Sequence, residues 1–370
     1  MSIGWLALAL AYLMMLFWIA RWGDTNSPTA RWITSHPLVY SLALGIYCTA
    51  WTFFGAVGQA SNQQWMYLPI LLGPVIVYVF FYRFIYKLIY VSKKQHISTI
   101  ADFLSSRYGK RQIVALMVTI IALLATIPYI ALQLKAIGST FQLITNQSSS
   151  QSIIVIATLF IAVFAMYFGT RNTDVTQYRR GLILAISFES CIKLLALVLV
   201  AIVGYQYWQQ SQNGSILLEY VQEPAINAFM TFDFWAQTLM AAAAIICLPR
   251  QFHVTVIDNL HLEHIKTARW FFPLYLLAIA LTIPIIAVAG KAIFAGQGLE
   301  GDSYVMSIAL LSDSLLLQII VFLGGLSAAT AMIIVATLTL STMITNDVVL
   351  PKLMDQDTYS GVNRVKRIKH

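Results

Sequence analysis

A chain of 370 residues that is 59% apolar and only 10% charged, with a mean hydropathy of +0.75, is a polytopic membrane protein and not a large soluble core. The net charge of +8 would suit nucleic acid only if the basic residues shared one surface, and here they sort by loop instead. Cys48, Cys191 and Cys247 all fall inside apolar stretches. That excludes an extracellular disulfide framework and reads them as small buried apolar side chains.

Apolar segments long enough to cross a bilayer run over about 3–20, 38–60, 65–92, 111–145, 151–170, 180–208, 232–254, 270–290 and 314–350, which predicts nine transmembrane helices. No Lys or Arg precedes the first segment, Arg21 follows it, and no small-residue cleavage pattern is present. It therefore reads as an anchor with its N-terminus outside.

The second segment, PLVYSLALGIYCTAWTFFGAVGQA, organises the rest. Gly45, Gly55 and Gly58 each cost an unbroken helix about 1 kcal/mol relative to alanine, so the segment is expected to break near its middle. A break at depth must line protein or a cavity, because lipid cannot satisfy the freed N–H and C=O groups. On the fourth segment, Lys135 in ALQLKAIG lies toward the outer end and is expected to snorkel to the interface.

The sixth segment carries Glu189 and Lys193 within FESCIKL. Four residues apart, they share one helix face and are able to pair. Counted from Arg180, Lys193 lies roughly 20 Å along the helix, close to the bilayer middle. Ionisable residues at such depth are costly and mark function by default; the alternative is a neutral ion pair that only holds helices together.

In the seventh segment, AAAAIICLPRQFHV, the alanine run permits close packing and Pro249 removes a backbone donor. Arg250, Gln251 and His253 follow at once. Pro249 either ends the span at the cytoplasmic interface or interrupts it. Interrupted second and seventh helices, five apart, are what an inverted repeat of five helices produces.

Nine spans from an outside start fix the side of every loop, and 20 of the 23 basic residues then fall in loops assigned to the cytoplasm, as the positive-inside rule requires. Arg250 is counted among them. Two cytoplasmic stretches read as solvated: HLEHIK, whose His261 and His264 are weak metal candidates, and the tail GVNRVKRIKH, a basic juxtamembrane segment suited to anionic lipid. No nucleotide loop, zinc spacing or nucleophile set is present, and no cofactor or catalytic residue is expected.

IYCTAWTFFGAVG, FESCIKL, LPRQFHV, TARWFFPLYLL and LSTMITNDVVLPKL together resemble the sodium/solute symporter family, most of all its branch fused to bacterial sensor histidine kinases of the CbrA type. The resemblance covers nearly the whole chain. It implies an all-α, LeuT-like fold with one extra N-terminal helix ahead of an incomplete inverted repeat. The corresponding units are residues 1–36 (extra helix and loop), 37–209 (first repeat of five helices), 210–350 (three helices of the second) and 351–370 (basic tail).

Placing the family's motifs on this sequence puts sodium-ligating carbonyls near Gly45 and Cys48 and the hydroxyl ligands at Ala331 and Met332. Neither of the latter offers an oxygen, which a hard cation requires; Thr330 is one residue away, about 100° round the helix. Tyr47 likewise stands where some members place an acidic or amide side chain. A degenerate sodium site beside a buried ammonium suggests that Lys193, with Glu189, titrates in place of sodium, as a lysine is thought to do elsewhere in the superfamily. The solute is expected near Trp51, Phe53 and Phe54, facing Pro249 and Gln133.

By the same resemblance the solute is an amino acid, with histidine the branch's association, and the partners are the bilayer and a response regulator reached through a kinase. The chain is expected to be an N-terminal fragment that lacks two core helices and the kinase, and that alone neither transports well nor phosphorylates. The alternative is a symporter acting purely in uptake. Either would reside in a bacterial inner membrane with its C-terminus in the cytoplasm.

Overall fold

In a computed structural model of the chain, residues 2–145, 155, 159, 179–210 and 225–351 are described. Apart from residues 155 and 159, the fifth expected span at 151–170 lies outside the described residues, as does the basic tail after 351.

Every regular element among the described residues is helical. The helices are α1 (Ser2–Gly23), α2 (Pro28–Thr34), α3 (Pro37–Ala43), α4 (Ala56–Gln63), α5 (Leu68–Phe80), α6 (Tyr82–Lys94), α7 (Ile100–Arg107) and α8 (Gln112–Thr145). They continue as α9 (Arg180–Gln210), α10 (Ala225–Phe229), α11 (Phe232–Cys247), α12 (Pro249–Phe252), α13 (His264–Ile293), α14 (Tyr304–Leu311) and α15 (Leu315–Ile344). The longest, α8, α9, α13 and α15, are apolar all round, the pattern of membrane helices. Six described helical stretches are long and apolar enough to cross a membrane, and a bent pair makes a seventh. This is a multi-span membrane protein, although the expected count of nine is not reached among the described residues.

Two segments and two cysteines differ from expectation. The apolar run at 65–92 divides at Phe81 into α5 and α6. α6 carries Arg83, Lys87, Lys93 and Lys94 while burying Ile85, Leu88 and Ile89, an amphipathic pattern that suits an interface and not a crossing. The outer segment at 291–313, expected as loop, contains α14, whose Val305, Met306 and Ile308 are fully buried. Of the cysteines only Cys48 is buried; Cys191 and Cys247 are exposed on the outer faces of their helices.

α15 is the most buried of the spans and packs on α9, which also contacts α3 and α13. Close approach explains its glycine pair. A Cβ on Gly324 would lie 2.6 Å from the Ala196 side chain, and one on Gly325 would lie 2.6 Å from the Phe54 ring. No side chain fits there without displacing a neighbour.

Candidate solute and ion site

The expected break in the second segment lies between its glycines. α3 tightens into a 3-10 turn at Leu44–Tyr47, Cys48 is extended (φ −78, ψ 101), and a π-helical turn at Trp51–Gly55 leads into α4. The seventh segment breaks at Leu248 (φ −65, ψ 127), with Pro249 as the first residue of α12 and a bend of 56°. It too resumes through a π-helical turn, His253–Ile257, a distortion frequent at functional sites. Pro249 thus interrupts the helix and does not end it. Arg250, expected in a cytoplasmic loop, is only 4% exposed.

The backbone groups freed at the first break are met by three other elements. The Lys193 amine on α9, 1% exposed, donates to the carbonyls of Gly45 (3.0 Å) and Cys48 (2.9 Å). Gln133 on α8 accepts from the Ala50 N–H at 2.9 Å, and one turn earlier the Tyr129 hydroxyl shares a hydrogen bond with Thr49 at 2.8 Å. Gln251, from the second break, donates to the Leu44 carbonyl at 3.3 Å, so the two breaks are adjacent. Buried backbone groups need such partners, since each one left unmet costs about 1–3 kcal/mol.

Glu189 is also buried but does not reach Lys193. Its carboxylate accepts from the Thr330 hydroxyl on α15 at 2.6 Å, and no ion pair joins the two residues. This corrects the pairing that their spacing permits: the two side chains share a face and diverge to different helices. Ala331 and Met332, the positions matched to hydroxyl ligands, are fully packed among apolar neighbours.

Two cavities flank the first break. One of about 460 Å³ is lined by Tyr47, Trp51, Tyr129, Met240, Leu248 and Arg250 among others. The second, about 840 Å³, lies beyond Trp51 and is lined by Phe54, Gln133, Lys135, Glu300 and Asp302 among others. Trp51 and Tyr129 line both, so they stand between the two spaces. Burial raises the Asp302 carboxyl pKa, as does nearby Glu300, and Lys135 opposes them. Lys135 is exposed at this second cavity.

Among the residues expected to meet solute, Trp51 and Phe54 face a cavity, Gln133 lines the larger one while capping the break, and Phe53 packs against Gly324. Pro249 is buried and contributes to neither lining. Sequence reasoning did not single out Tyr129 or Arg250 for the site. The guanidinium of Arg250 lies 5.0 Å from the centre of the Tyr129 ring, within cation–π range.

No family profile matches the chain. Over 172 residues, 46% of the chain, it is 26% identical to the uncharacterized symporter YodF of Bacillus subtilis (strain 168). The match spans about a third, 34%, of that curated relative's length. In structure the chain is similar to a Na+-coupled sialic acid symporter in a substrate-bound outward-open state, with a TM-score of 0.73 at 11% identity, covering 98% of this chain and 78% of that one. The chain has the LeuT-like fold. In that fold, substrate and ion sites lie where discontinuous helices face each other, the place that Lys193 and Gln251 bridge here.

Proposed function

We propose that the chain forms the solute-handling core of a symporter-type transporter in which the Lys193 amine takes the place of one coupling cation. The observation that carries this reading is the donation from Lys193 to the Gly45 and Cys48 carbonyls. Oxygens free to hold a hard cation are here engaged by an ammonium, and Ala331 and Met332 supply none. The likeness to symporters in sequence and in fold supports a role in uptake.

Protonation at Lys193 strengthens both bonds to the first break, because charge-assisted hydrogen bonds are about twice as strong as neutral ones. Loss of the proton loosens the hold of α9 on that break and favours its movement. Glu189, one turn before Lys193 and held by Thr330 of α15, is a second titrating group on the same helix face. Proton movement thus supplies the coupling that sodium supplies elsewhere. On this reading the units at 37–209 and 210–350 are the two repeats, and the N-terminus faces outward as the distribution of basic residues requires.

The finer expectations drawn from the CbrA-type resemblance fare differently. Neither comparison names a kinase, a response regulator or an amino acid, so uptake is favoured over sensing. Uptake from a mixed panel of labelled solutes by the protein in proteoliposomes tests the proposal. Accumulation should follow an imposed pH gradient in sodium-free potassium medium, and Lys193→Met should abolish the pH dependence. Steep dependence on a sodium gradient overturns it.

A further inference from the structure

Arg250 is a full positive charge buried beside a cavity, and its partner among the described residues, the Tyr129 ring and hydroxyl, carries no counter-charge. Its Nε is buried without a hydrogen-bond partner, and among the described residues no carboxylate pairs with it. The buried carboxylates among the described residues bond other groups: Glu189 the Thr330 hydroxyl, Asp258 the Arg179 N–H, and Asp347 the Thr119 hydroxyl. A guanidinium out of water without a counter-charge is costly, and the wall it contributes to is otherwise built of Tyr47, Trp51, Ile70 and Met240 with a few neutral polar groups.

The chemistry of the missing counterpart follows. One guanidinium presents a planar fork that matches one carboxylate, and a single positive charge suits a monoanion. The aromatic and aliphatic remainder of the wall suits an apolar body, and a space of about 460 Å³ is within the range of small-molecule sites. An α-amino group is poorly served. The lining contains no acidic residue, and the carbonyls of Leu44, Gly45 and Cys48, the acceptors a broken helix would offer an ammonium, are taken by Gln251 and Lys193.

We infer that the solute is a small monocarboxylate with an apolar body and no α-amino group, its carboxylate seated on Arg250. This deepens the transporter reading and rests on it only for the identification of the cavity as a solute site. It differs from the amino acid implied by the family resemblance.

Three probes of one skeleton test it, each scored by the thermal unfolding midpoint of the purified protein in detergent, since a ligand that binds only the folded state raises the midpoint. They are 4-methylpentanoate, its primary amide, and leucine, which adds the α-amine. The carboxylate should raise the midpoint saturably, with the amide at least about tenfold weaker because the buried guanidinium then lacks its partner, and leucine at least about tenfold weaker because its ammonium finds no acceptor. Arg250→Gln should remove the response. Arg250→Lys, which keeps the charge but not the fork, should weaken it while holding the unliganded midpoint near that of the wild type, and carries the test if the glutamine variant does not fold. No saturable shift with the carboxylate, an equal shift with the amide or leucine, or a response surviving in Arg250→Gln overturns the inference. Uptake of solutes without carboxylate preference would overturn it and leave the transport proposal standing; carboxylate-selective binding without uptake would do the reverse.

Discussion

At the first helix break, Lys193, Gln133 and Gln251 reach in from α9, α8 and the second break to meet the freed backbone groups. At the second, the backbone looks after itself. Pro249 has no N–H to satisfy, and the Leu248 carbonyl accepts from the Gln251 and Phe252 N–H groups at 2.9 and 2.8 Å. What the second break leaves short of partners is side chains, the Arg250 Nε, Gln251 Oε1 and His253 Nε2, and of these only Arg250 carries a fixed charge. The first break is thus tied to three other elements and positioned to report on the state of Lys193, whereas the second holds a charge in reserve for something that enters.

Substitutions test this contrast in descending order of effect. Lys193→Met should cost about 3 kcal/mol of stability, because it strips the donor from two buried carbonyls; the thermal midpoint in detergent measures it. Thr330→Val, which leaves the Glu189 carboxylate without its donor, should cost about 2 kcal/mol by the same measurement. Gly45→Ala brings a Cβ to 2.7 Å from the Ser190 hydroxyl and 2.9 Å from the Tyr275 ring. Overpacking of that kind costs about 1.5 kcal/mol, and a second change, Ser190→Ala, should recover part of it. Gln251→Leu, which unties the two breaks, should cost about 1 kcal/mol. Arg250→Gln comes last, within about 1 kcal/mol of the wild type, since removing an unpaired buried charge relieves as much as it loses. If Arg250→Gln proves as damaging as Lys193→Met, Arg250 has a structural partner and the contrast fails.

The existence of both breaks was legible in the sequence, from clustered glycines in one segment and a proline followed by polar residues in the other. Their exact places were less so. Gly45 marks where Ser190 and Tyr275 approach and Gly58 where Asp302 approaches, while the chain opens at Cys48 between them. Helix spacing brought Glu189 and Lys193 to one face but could not show that Thr330, 141 residues away, takes the carboxylate. Arg250 was counted with the cytoplasmic loops because the positive-inside rule sorts charges by segment and is blind to a helix that bends and continues. The run at 65–92 read as one span because its mean hydropathy hides Arg83 and Lys87, two of the four basic residues that set α6 apart. The carbonyl partners of Lys193 were anticipated only through the family resemblance, since backbone oxygens have no signature in sequence.

The central claim is that an ammonium, and not sodium, engages the Gly45 and Cys48 carbonyls. Titrating the purified protein with sodium chloride against potassium chloride at matched ionic strength, and reading the unfolding midpoint, tests it most directly. The account predicts indistinguishable curves for the two salts; a saturable stabilisation specific to sodium would contradict it.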